Sequence, residues 1–282
     1  MVKCAVQYSR HRTAPRTVRA AIDCIASSFL CSALHCQLLV PSFMDAEVAE
    51  LAQHLVHRLN YTPSPRRVIV GISGVPASGK STLAHAVTER VNDLLKQRSS
   101  SSPEPGPQAI LIGLDGWHLT RAQLDVFPDP QAAYDRRGSH WTFDGPGYVA
   151  FVQKLRDEST PDNIVLAPSF DHALKDPTPD AVSIHPFHRI VIIEGLYTFL
   201  SIEPWSEAGL LLDERWFIEV DLDEARRRLV GRHVETGVTK DAKEAEWRAD
   251  ENDMPNGQFL VANMLEPTRV ITSKDELKYV SN

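Results

Sequence analysis

Apolar residues recur at helical spacing just after residue 43. Met44, Val48, Leu51, Leu55 and Leu59 lie on one side of a helix when the period of an α-helix is applied. Two prolines follow within a few residues and cannot continue the pattern, because proline lacks the amide hydrogen that a helix needs. The sequence therefore predicts an amphipathic helix over residues 44–59.

Short apolar runs, often β-branched, alternate with helical patterns along the rest of the chain. We predict strands at Val68–Ile72, Ala109–Leu114, Asn163–Ala167, Arg189–Ile193 and Trp216–Val220, and a last one at Arg269–Thr272. Helical patterns cover Lys80–Leu95, Gly147–Arg156 and Glu224–Val234. The runs at 109–114, 163–167 and 189–193 are expected to be central strands. This alternation predicts an α/β fold in which helices cover both faces of a parallel sheet.

Composition and charge narrow the function classes. The 282 residues are 43% hydrophobic and 24% charged, which is enough for one sizeable domain with a small appended lid or tail. The net charge of −7 argues against a nucleic-acid partner, because phosphate backbones require a basic surface. The apolar stretch at residues 27–43 is interrupted by His35, Gln37 and Pro41. It is too short for a membrane span, so we expect no membrane partner either.

Residues 1–43 differ from the rest of the chain. They carry a net charge of +4, which leaves −11 for residues 44–282, and they hold all four cysteines in spacings that match no zinc pattern. A basic, acid-poor leader of this kind is typical of a mitochondrial targeting peptide. The alternatives are a disordered extension, or an upstream start with Met44 opening the domain. We expect a domain at 44–282 and a cytoplasmic protein, or a mitochondrial one if the leader is a transit peptide.

The strongest motif lies between the first predicted strand and the next helix. Residues 74–81 read Gly-Val-Pro-Ala-Ser-Gly-Lys-Ser and fit the P-loop pattern G-x-x-x-x-G-K-[ST]. Glycines let the chain wrap around a polyphosphate, and the helix that follows points its positive dipole end at the phosphates. The alternative is a chance match in a glycine-rich turn, which the flanking strand and helix disfavour. We expect the nucleotide to contact Gly74, Ala77, Ser78, Gly79, Lys80, Ser81 and Thr82.

A P-loop alone does not separate kinases from GTPases, motor ATPases or ABC-type ATPases. The chain lacks the Asn-Lys-x-Asp sequence of a guanine-specific GTPase, and it lacks an apolar strand that ends in Asp-Glu, as in motor and assembly ATPases. Instead, Asp115 and Glu194 each end an apolar strand, where a substrate pocket forms in α/β proteins. Asp115 is the candidate base for an acceptor hydroxyl, or it caps the next turn. Glu194 is a candidate for holding Mg²⁺ or the acceptor, or it is a solvated charge.

Two further groups of residues are candidates for the pocket. Asp171 and His172 follow the run at 163–167 and either line the acceptor site or are structural. Arginines on the predicted helix at 224–234, Arg227 and Arg232 among them, are suited to close over the γ-phosphate. The alternative is a solvated helix face, paired with acidic neighbours at 223, 224 and 235.

Taken together, these motifs resemble the uridine kinase, phosphoribulokinase and bacterial-type pantothenate kinase superfamily over about residues 66–272. The resemblance is carried by segments 71–81, 114–118, 136–144, 170–177 and 192–197 and by the arginine-rich helix. It implies a P-loop NTPase three-layer sandwich with a parallel sheet of about five strands and a helical lid over about 223–255. It also implies that Asp115 acts as the base, that Glu194 lies near metal and substrate, and that a homodimer is compatible with the family.

The chain departs from uridine kinases at Gly116, where those enzymes carry a second aspartate after the equivalent of Asp115. This weakens a nucleoside assignment and favours the pantothenate kinase and sugar-kinase-like branch. Residues 252–256, Asn-Asp-Met-Pro-Asn, are similar to kinase-like members found in bacteria and fungi. The only role we assign to them from sequence is a helix-stopping turn at Pro255.

The function predicted is transfer of the γ-phosphoryl group of ATP, with Mg²⁺, to a hydroxyl of a small metabolite. Lys80, Asp115, Arg227 and Arg232 would be catalytic, and Ser81 and Glu194 would hold the metal. The acceptor, a sugar, a pantothenate-like molecule or a nucleoside, is expected to contact Asp115, His118, Arg136, Asp171, His172 and Tyr197. One alternative is a P-loop ATPase that couples hydrolysis to assembly or remodelling of a partner protein. Another is a non-catalytic nucleotide-binding regulator, against which Lys80, Ser81 and Asp115 argue.

Overall fold

The computed structural model describes residues 43–98, 108–171 and 174–273. The helices are α1 (Phe43–Asn60), α2 (Lys80–Arg98), α3 (Arg121–Leu124), α4 (Pro130–Asp135), α5 (Gly145–Arg156), α6 (Trp205–Leu211), α7 (Leu222–Glu235), α8 (Ala242–Arg248) and α9 (Met254–Asn263). The strands are β1 (Val68–Gly74), β2 (Ala109–Gly113), β3 (Val165–Asp171), β4 (Asp176–Ile184), β5 (Ile190–Glu194), β6 (Glu214–Glu219) and β7 (Arg269–Thr272). Single 3₁₀ turns lie at Leu114–Trp117 and His140–Thr142, and a π-helical turn at Ala249–Asp253 joins α8 to α9. The predicted leader, apart from residue 43, and the candidate His172 lie outside the described residues.

A parallel sheet of five strands forms the centre, in the order β2-β5-β1-β6-β7. This confirms the predicted α/β sandwich. The order places β1 in the middle of the sheet, and all five carboxyl ends point to one edge. Glu194 at the end of β5 pairs with Ile72 of β1 on one side and with Gly113 of β2 on the other. The segments that follow β1, β2 and β5 therefore leave the sheet side by side.

The sheet is covered on both faces because successive strand residues point in opposite directions. Val68, Val70 and Ile72 of β1 pack in one apolar cluster with α1 and α2. Ile69 of the same strand packs in a second cluster with α5 and α6 on the opposite face. Runs of residues that are buried on both faces are typical of parallel strands. This three-layer arrangement buries both faces of the sheet and leaves its carboxyl edge to carry the site.

One predicted strand does not belong to the central sheet. The run at 163–167 was expected to be a central strand, but β3 pairs only with β4, in a separate antiparallel two-stranded sheet. Ile164 is 50% exposed and Leu166 is 46% exposed, so this run is covered on one face only. Its apolar composition resembles a buried parallel strand, but the tertiary pairing makes it half of a hairpin. The two-residue alternation of burial at 165–167 is the pattern of such a half-covered strand.

Among the helices that the structure describes, none has both the length and the apolar character needed to cross a bilayer.

Candidate active site

The P-loop connects β1 to α2 at the centre of the carboxyl edge. Ala77 and Gly79 adopt φ angles of 61° and 92°, which lie in the left-handed region. A Cβ atom at Gly74 would lie 2.5 Å from the Ser78 Oγ atom and 3.0 Å from the backbone oxygen of Ile218. Glycine is therefore required at Gly74 because the loop packs against itself and against β6. The loop has the tight wrap that a polyphosphate cradle needs.

Ser78 provides an observation that fits an anion in this loop. Its hydroxyl oxygen is fully buried and has no hydrogen-bond partner among the described residues, while its backbone N–H donates to the Val75 carbonyl at 3.1 Å. Ser81 and Thr82 follow in the first turn of α2, where backbone N–H groups have no acceptor within the helix. The residues present thus offer the donors that bind phosphate oxygens at a helix N-terminus.

Lys80 lies among charged side chains from four other segments. Burial lowers the pKa of Lys80, the carboxylates of Glu194, Asp115 and Asp253 oppose that shift, and the cation of Arg232 adds to it. Of these neighbours, Glu194 has the largest influence on the pKa of Lys80. A lysine held near three carboxylates and one arginine is a strong local charge in a partly desolvated site.

Ser81 and Glu194 meet at the same edge. The Ser81 hydroxyl donates to the Glu194 Oε2 atom at 3.1 Å. Burial raises the pKa of Glu194 above its ordinary value; the charge on Lys80 opposes this, while that on Asp115 adds to it. The two oxygen-bearing side chains therefore face the same space next to the P-loop lysine.

This pair fits a magnesium ion. Mg²⁺ in phosphoryl-transfer sites is bound by one or two protein oxygens together with substrate phosphates and water. Among the described residues, no group of three or more His, Cys, Asp or Glu side chains forms a metal cluster. The Ser81 hydroxyl and the Glu194 carboxylate supply two protein oxygens of the kind that Mg²⁺ prefers.

Asp115 lies in the 3₁₀ turn that follows β2, and its side chain is 52% exposed. Because Gly113 is paired with Glu194, the turn that carries Asp115 emerges beside Glu194. The Asp115 charge acts on the pKa values of both Lys80 and Glu194. The charge of this carboxylate therefore acts at the P-loop lysine, and its exposure shows that it is not buried behind the sheet.

His118 is placed by aromatic neighbours. Its ring lies 3.9 Å from the Phe143 ring and 4.9 Å from the Phe170 ring, centroid to centroid. Its Nδ1 atom lies 2.9 Å from the backbone oxygen of Asp115 and 3.9 Å from the Asp115 Oδ1 atom. His118 thus supports the turn that presents Asp115.

Gly116 is explained by a close backbone approach. A Cβ atom there would lie 2.5 Å from the Pro168 carbonyl oxygen and 2.8 Å from the Pro168 carbonyl carbon. Pro168 lies where the register of β3 against β4 shifts, between Ala167 and Ser169. A side chain at position 116 would displace backbone, so the second aspartate of the uridine kinases has no room in this chain.

The two candidate arginines on α7 have different surroundings. Arg227 makes a two-pronged contact with Glu224 on its own helix, at 2.8 and 2.6 Å, and its side chain is 71% exposed. Arg232 lies one residue before buried His233, and its charge reaches Lys80. The charge of Arg232 therefore acts at the P-loop lysine, whereas the guanidinium of Arg227 is engaged by Glu224 on its own helix.

The other acceptor candidates are held by the protein itself. Arg136 donates to the backbone oxygen of Glu251. The Asp171 Oδ1 atom accepts the backbone N–H of Leu174 at 3.1 Å in the turn of the hairpin. Tyr197 is fully buried, and its hydroxyl donates to the Gly138 carbonyl at 3.0 Å. Arg136 and Tyr197 thus brace the loop around Gly138.

Residues 252–256 were not assigned to the site from sequence. Pro255 does not stop a helix: it lies in the first turn of α9, which continues directly from the π-helical turn. The Asp253 Oδ2 atom lies 2.8 Å from the His233 Nε2 atom. The charge of Asp253 also acts on the pKa of Lys80. No local pattern could have revealed this, because the partners come from distant parts of the chain.

Comparison with known proteins agrees with this geometry. No protein-family model matches the chain. The chain is 51% identical over 153 residues to an ATP-dependent kinase-like protein, notR', of Aspergillus versicolor; the match covers 54% of this chain and 89% of that protein. It is 36% identical over 207 residues to a Schizosaccharomyces pombe protein provisionally named a uridine kinase, covering 73% of this chain and 83% of that protein.

A solved structure shows the same architecture. A protein of Silicibacter sp. TM1040, provisionally named a fructose transport system kinase, superposes with a TM-score of 0.67 at 28% sequence identity. The superposition covers 79% of this chain and 98% of that protein. Together with the P-loop, Asp115 and Glu194 at one sheet edge, these relationships show that the chain belongs to the P-loop kinases of the uridine kinase and phosphoribulokinase superfamily.

Proposed function

We propose that this chain transfers the γ-phosphoryl group of ATP to a hydroxyl group of a small, soluble metabolite. The observation that carries the proposal is the convergence of Lys80, Ser81, Glu194 and Asp115 at one edge of the sheet, in a chain that belongs to a kinase family. Each of these residues supplies a function that phosphoryl transfer requires.

The phosphate side is formed by the P-loop. Backbone N–H groups of the loop and of the first turn of α2 would hold the β- and γ-phosphates, and Lys80 would bridge their oxygens. Ser81 and Glu194 would hold Mg²⁺, which neutralises charge on the phosphates when it is bound. Arg232 would add a positive charge on the side of the γ-phosphate where negative charge spreads in the transition state.

The acceptor side is formed by the turn after β2. The Asp115 carboxylate would accept the proton of the acceptor hydroxyl as its oxygen attacks the γ-phosphorus. The bond from that phosphorus to the β,γ-bridging oxygen breaks, and ADP leaves with the electron pair. The partial exposure of Asp115 suits this role, because the acceptor must reach the carboxylate from solvent.

The names of two relatives, a uridine kinase and a fructose transport system kinase, suggest acceptor classes for this chain. Uridine and fructose are therefore the first compounds to test, followed by other pentoses, pantothenate and glycerate. The lack of space for a side chain at Gly116 removes a carboxylate that the resemblance places near a nucleoside acceptor. We expect a sugar-type or pantothenate-like acceptor to be preferred over uridine.

A metabolite-pool screen tests the proposal. The protein is incubated with a metabolite extract, Mg²⁺ and ATP labelled with heavy oxygen in the γ-phosphate, and products are sought by mass spectrometry. The proposal expects a metabolite that gains one labelled phosphate with wild type and not with Lys80→Ala. ATP consumption that yields only labelled inorganic phosphate, and that rises with added protein rather than with metabolites, would instead indicate an ATPase.

The cellular location is a separate proposal. We propose a cytoplasmic enzyme, and comparing tagged residues 1–282 with tagged residues 44–282 in cells tests whether the leader directs import. Mitochondrial location of the longer form alone would show that the leader is a transit peptide.

A further inference from the structure

Two asparagines, one in the π-helical turn before α9 and one in the first turn of α9, are buried, although asparagine is usually exposed. Asn252 is 3% exposed and Asn256 is 8% exposed. Burying an amide without hydrogen bonds is costly, so both side chains must be satisfied by the protein. We refer to these two residues as the asparagine pair.

The asparagine pair forms a hydrogen-bonded chain that begins and ends on the same loop. The Ser139 hydroxyl donates to the Asn256 Oδ1 atom at 2.9 Å, and the Asn256 Nδ2 atom donates to the Asn252 Oδ1 atom at 3.3 Å. The Asn252 Nδ2 atom then donates to the Arg137 carbonyl at 3.0 Å. Each donor in this series has one acceptor, so the three hydrogen bonds fix the backbone between residues 137 and 139.

The loop around Gly138 packs against the side-chain amides of the asparagine pair. Gly138 has a φ angle of 110°, and a Cβ atom there would lie 3.7 Å from the Asn256 Nδ2 atom and 3.9 Å from the Asn252 Nδ2 atom. On its other side, the Gly138 carbonyl accepts the Tyr197 hydroxyl. The loop is therefore held between the core tyrosine and the asparagine pair.

The opposite side of the same helical turn packs on the P-loop. A Cβ atom at Gly257 would lie 3.1 Å from the Pro76 Cδ atom and 3.1 Å from the Val75 Cβ atom. Met254 shares a buried apolar cluster with Val75. The first turn of α9 is thus sandwiched between the nucleotide loop and the loop at 136–139.

Backbone hydrogen bonds join the end of this loop to the turn that carries Asp115. The Leu119 backbone N–H donates to the Thr142 carbonyl at 2.9 Å, and the Asp144 backbone N–H donates to the Trp117 carbonyl at 2.7 Å. An isolated β-bridge joins His118 to Phe143. Residues 136–144 and 115–119 therefore form one connected unit.

We propose that Asn252 and Asn256 are positioning residues, which set the Asp115 turn at a fixed distance from the P-loop. The connection runs from the P-loop through Gly257 to the asparagine pair, then through residues 137–144 to the turn at 115–119. This inference rests on the proposed function, because it gives Asp115 the role of the base. It assigns a task to the Asn-Asp-Met-Pro-Asn segment, which neither the P-loop nor the acceptor residues explain.

Hydrogen exchange tests the proposal without knowledge of the acceptor. Exchange is followed by mass spectrometry on peptides that cover the P-loop, residues 115–119 and residues 136–144, with and without the non-hydrolysable analogue AMP-PNP and Mg²⁺. The variants are Asn252→Ala and Asn256→Ala. The matched control is Asn263→Ala at the far end of α9, because that amide donates to the Phe259 carbonyl of its own helix at 2.9 Å and to no other acceptor among the described residues.

We expect faster hydrogen exchange only in the segments that the asparagine pair positions. In both variants, exchange at 115–119 and 136–144 accelerates roughly tenfold, the effect of losing one or two buried hydrogen bonds. AMP-PNP affinity and its protection of the P-loop remain within about twofold of wild type. Asn263→Ala resembles wild type. Asn256→Asp, which keeps the acceptor for Ser139 but loses the donor to Asn252, lies between wild type and Asn256→Ala.

Two results would overturn the inference. One is unchanged exchange at 115–119 in both variants; the other is equal acceleration throughout the domain, including α1 and α5, which would make the pair part of general stability only. If a variant does not fold, Ser139→Ala removes the first donor alone and must give the same local pattern. Failure of wild type to bind AMP-PNP would contradict the proposed function instead, and the exchange pattern would still report on the asparagine pair.

Discussion

The Ser81 hydroxyl donates to the Glu194 carboxylate at 3.1 Å across a sequence separation of 113 residues. The contact exists because β1 and β5 are parallel neighbours, with Ile72 in register with Glu194. Ser81 lies in the first turn of the helix after the P-loop, and Glu194 ends the adjacent strand. The sheet therefore brings together the two oxygen ligands that the proposed function assigns to the metal.

Glu194→Gln is expected to weaken the use of Mg²⁺ more than the binding of nucleotide. The amide keeps the shape of the side chain but lacks the negative charge that attracts a divalent cation. We predict that the Mg²⁺ concentration for half-maximal activity rises roughly tenfold or more, as for loss of a metal-supporting group. AMP-PNP affinity measured without metal should not fall, because a carboxylate has been removed from the phosphate site. A matching loss of metal-free affinity would contradict the assignment.

The raised pKa of Glu194 predicts a pH-dependent stability difference. Burial, the largest influence, raises the pKa of Glu194 above its ordinary value of 4.5, so the folded state holds this proton more tightly than the unfolded state. Wild type therefore loses stability as the pH rises through the window from the ordinary to the raised pKa. Glu194→Gln lacks this loss, so its melting temperature relative to wild type should increase with pH over the range that begins at the ordinary pKa of 4.5 and extends to the raised value. A difference that is constant or decreases across this range would show that the pKa is not raised.

The arginines on α7 should differ in importance. Arg232→Ala removes a charge that acts on Lys80, and we expect the turnover rate to fall on the order of 10³-fold, the lower end for arginines that stabilise phosphoryl transfer. Arg227→Ala breaks an exposed contact with Glu224 and should change the rate by no more than about fivefold. Steady-state kinetics with the acceptor found in the screen measures both. Equal losses in the two variants would mean that the predicted lid uses Arg227 as well.

Gly116→Ala should destabilise the domain. Its new methyl group would meet the Pro168 carbonyl, which is backbone and cannot rotate away, so we expect a loss of about 1–3 kcal/mol. Gly231→Ala is the matched control: apart from its chain neighbours and the backbone of α7 itself, no atom of the described residues lies within 4 Å of the new Cβ. That variant should gain about 0.5–1 kcal/mol from helix propensity. Urea denaturation of both variants checks the prediction, and similar effects at the two positions would refute it.

Much of the fold could be predicted from the sequence because local patterns decided it. Continuous β-branched runs marked the buried parallel strands, and the glycines of residues 74–81 marked the phosphate loop. The run at 163–167 was assigned to the wrong sheet, because a short apolar run looks the same in both settings. Strand β4 was not predicted, since its prolines Pro177 and Pro179 and its polar residues suggest a loop. Only pairing with β3 makes it a strand.

The candidate site also has one part that local patterns predict and another that they do not. Lys80, Ser81 and Asp115 each follow a strand at a recognisable position and Glu194 ends one, and the parallel order of the strands then brings them together. The asparagine pair gave no local signal, because its partners at residues 137–139 are more than 100 residues away in sequence. Roles of this kind depend on tertiary contacts and are visible only in the structure.

The central claim is that Asp115 takes a proton from an alcohol while the P-loop holds the nucleotide. Asp115→Asn keeps the size of the side chain and removes its basicity. Calorimetric titration with AMP-PNP and Mg²⁺, together with the rate of labelled phosphate transfer to the acceptor found in the screen, separates the two functions in one protein. The account predicts nearly unchanged nucleotide affinity and a transfer rate reduced roughly 10²–10⁴-fold, the contribution of a positioned base. Transfer at the wild-type rate in this variant would contradict it.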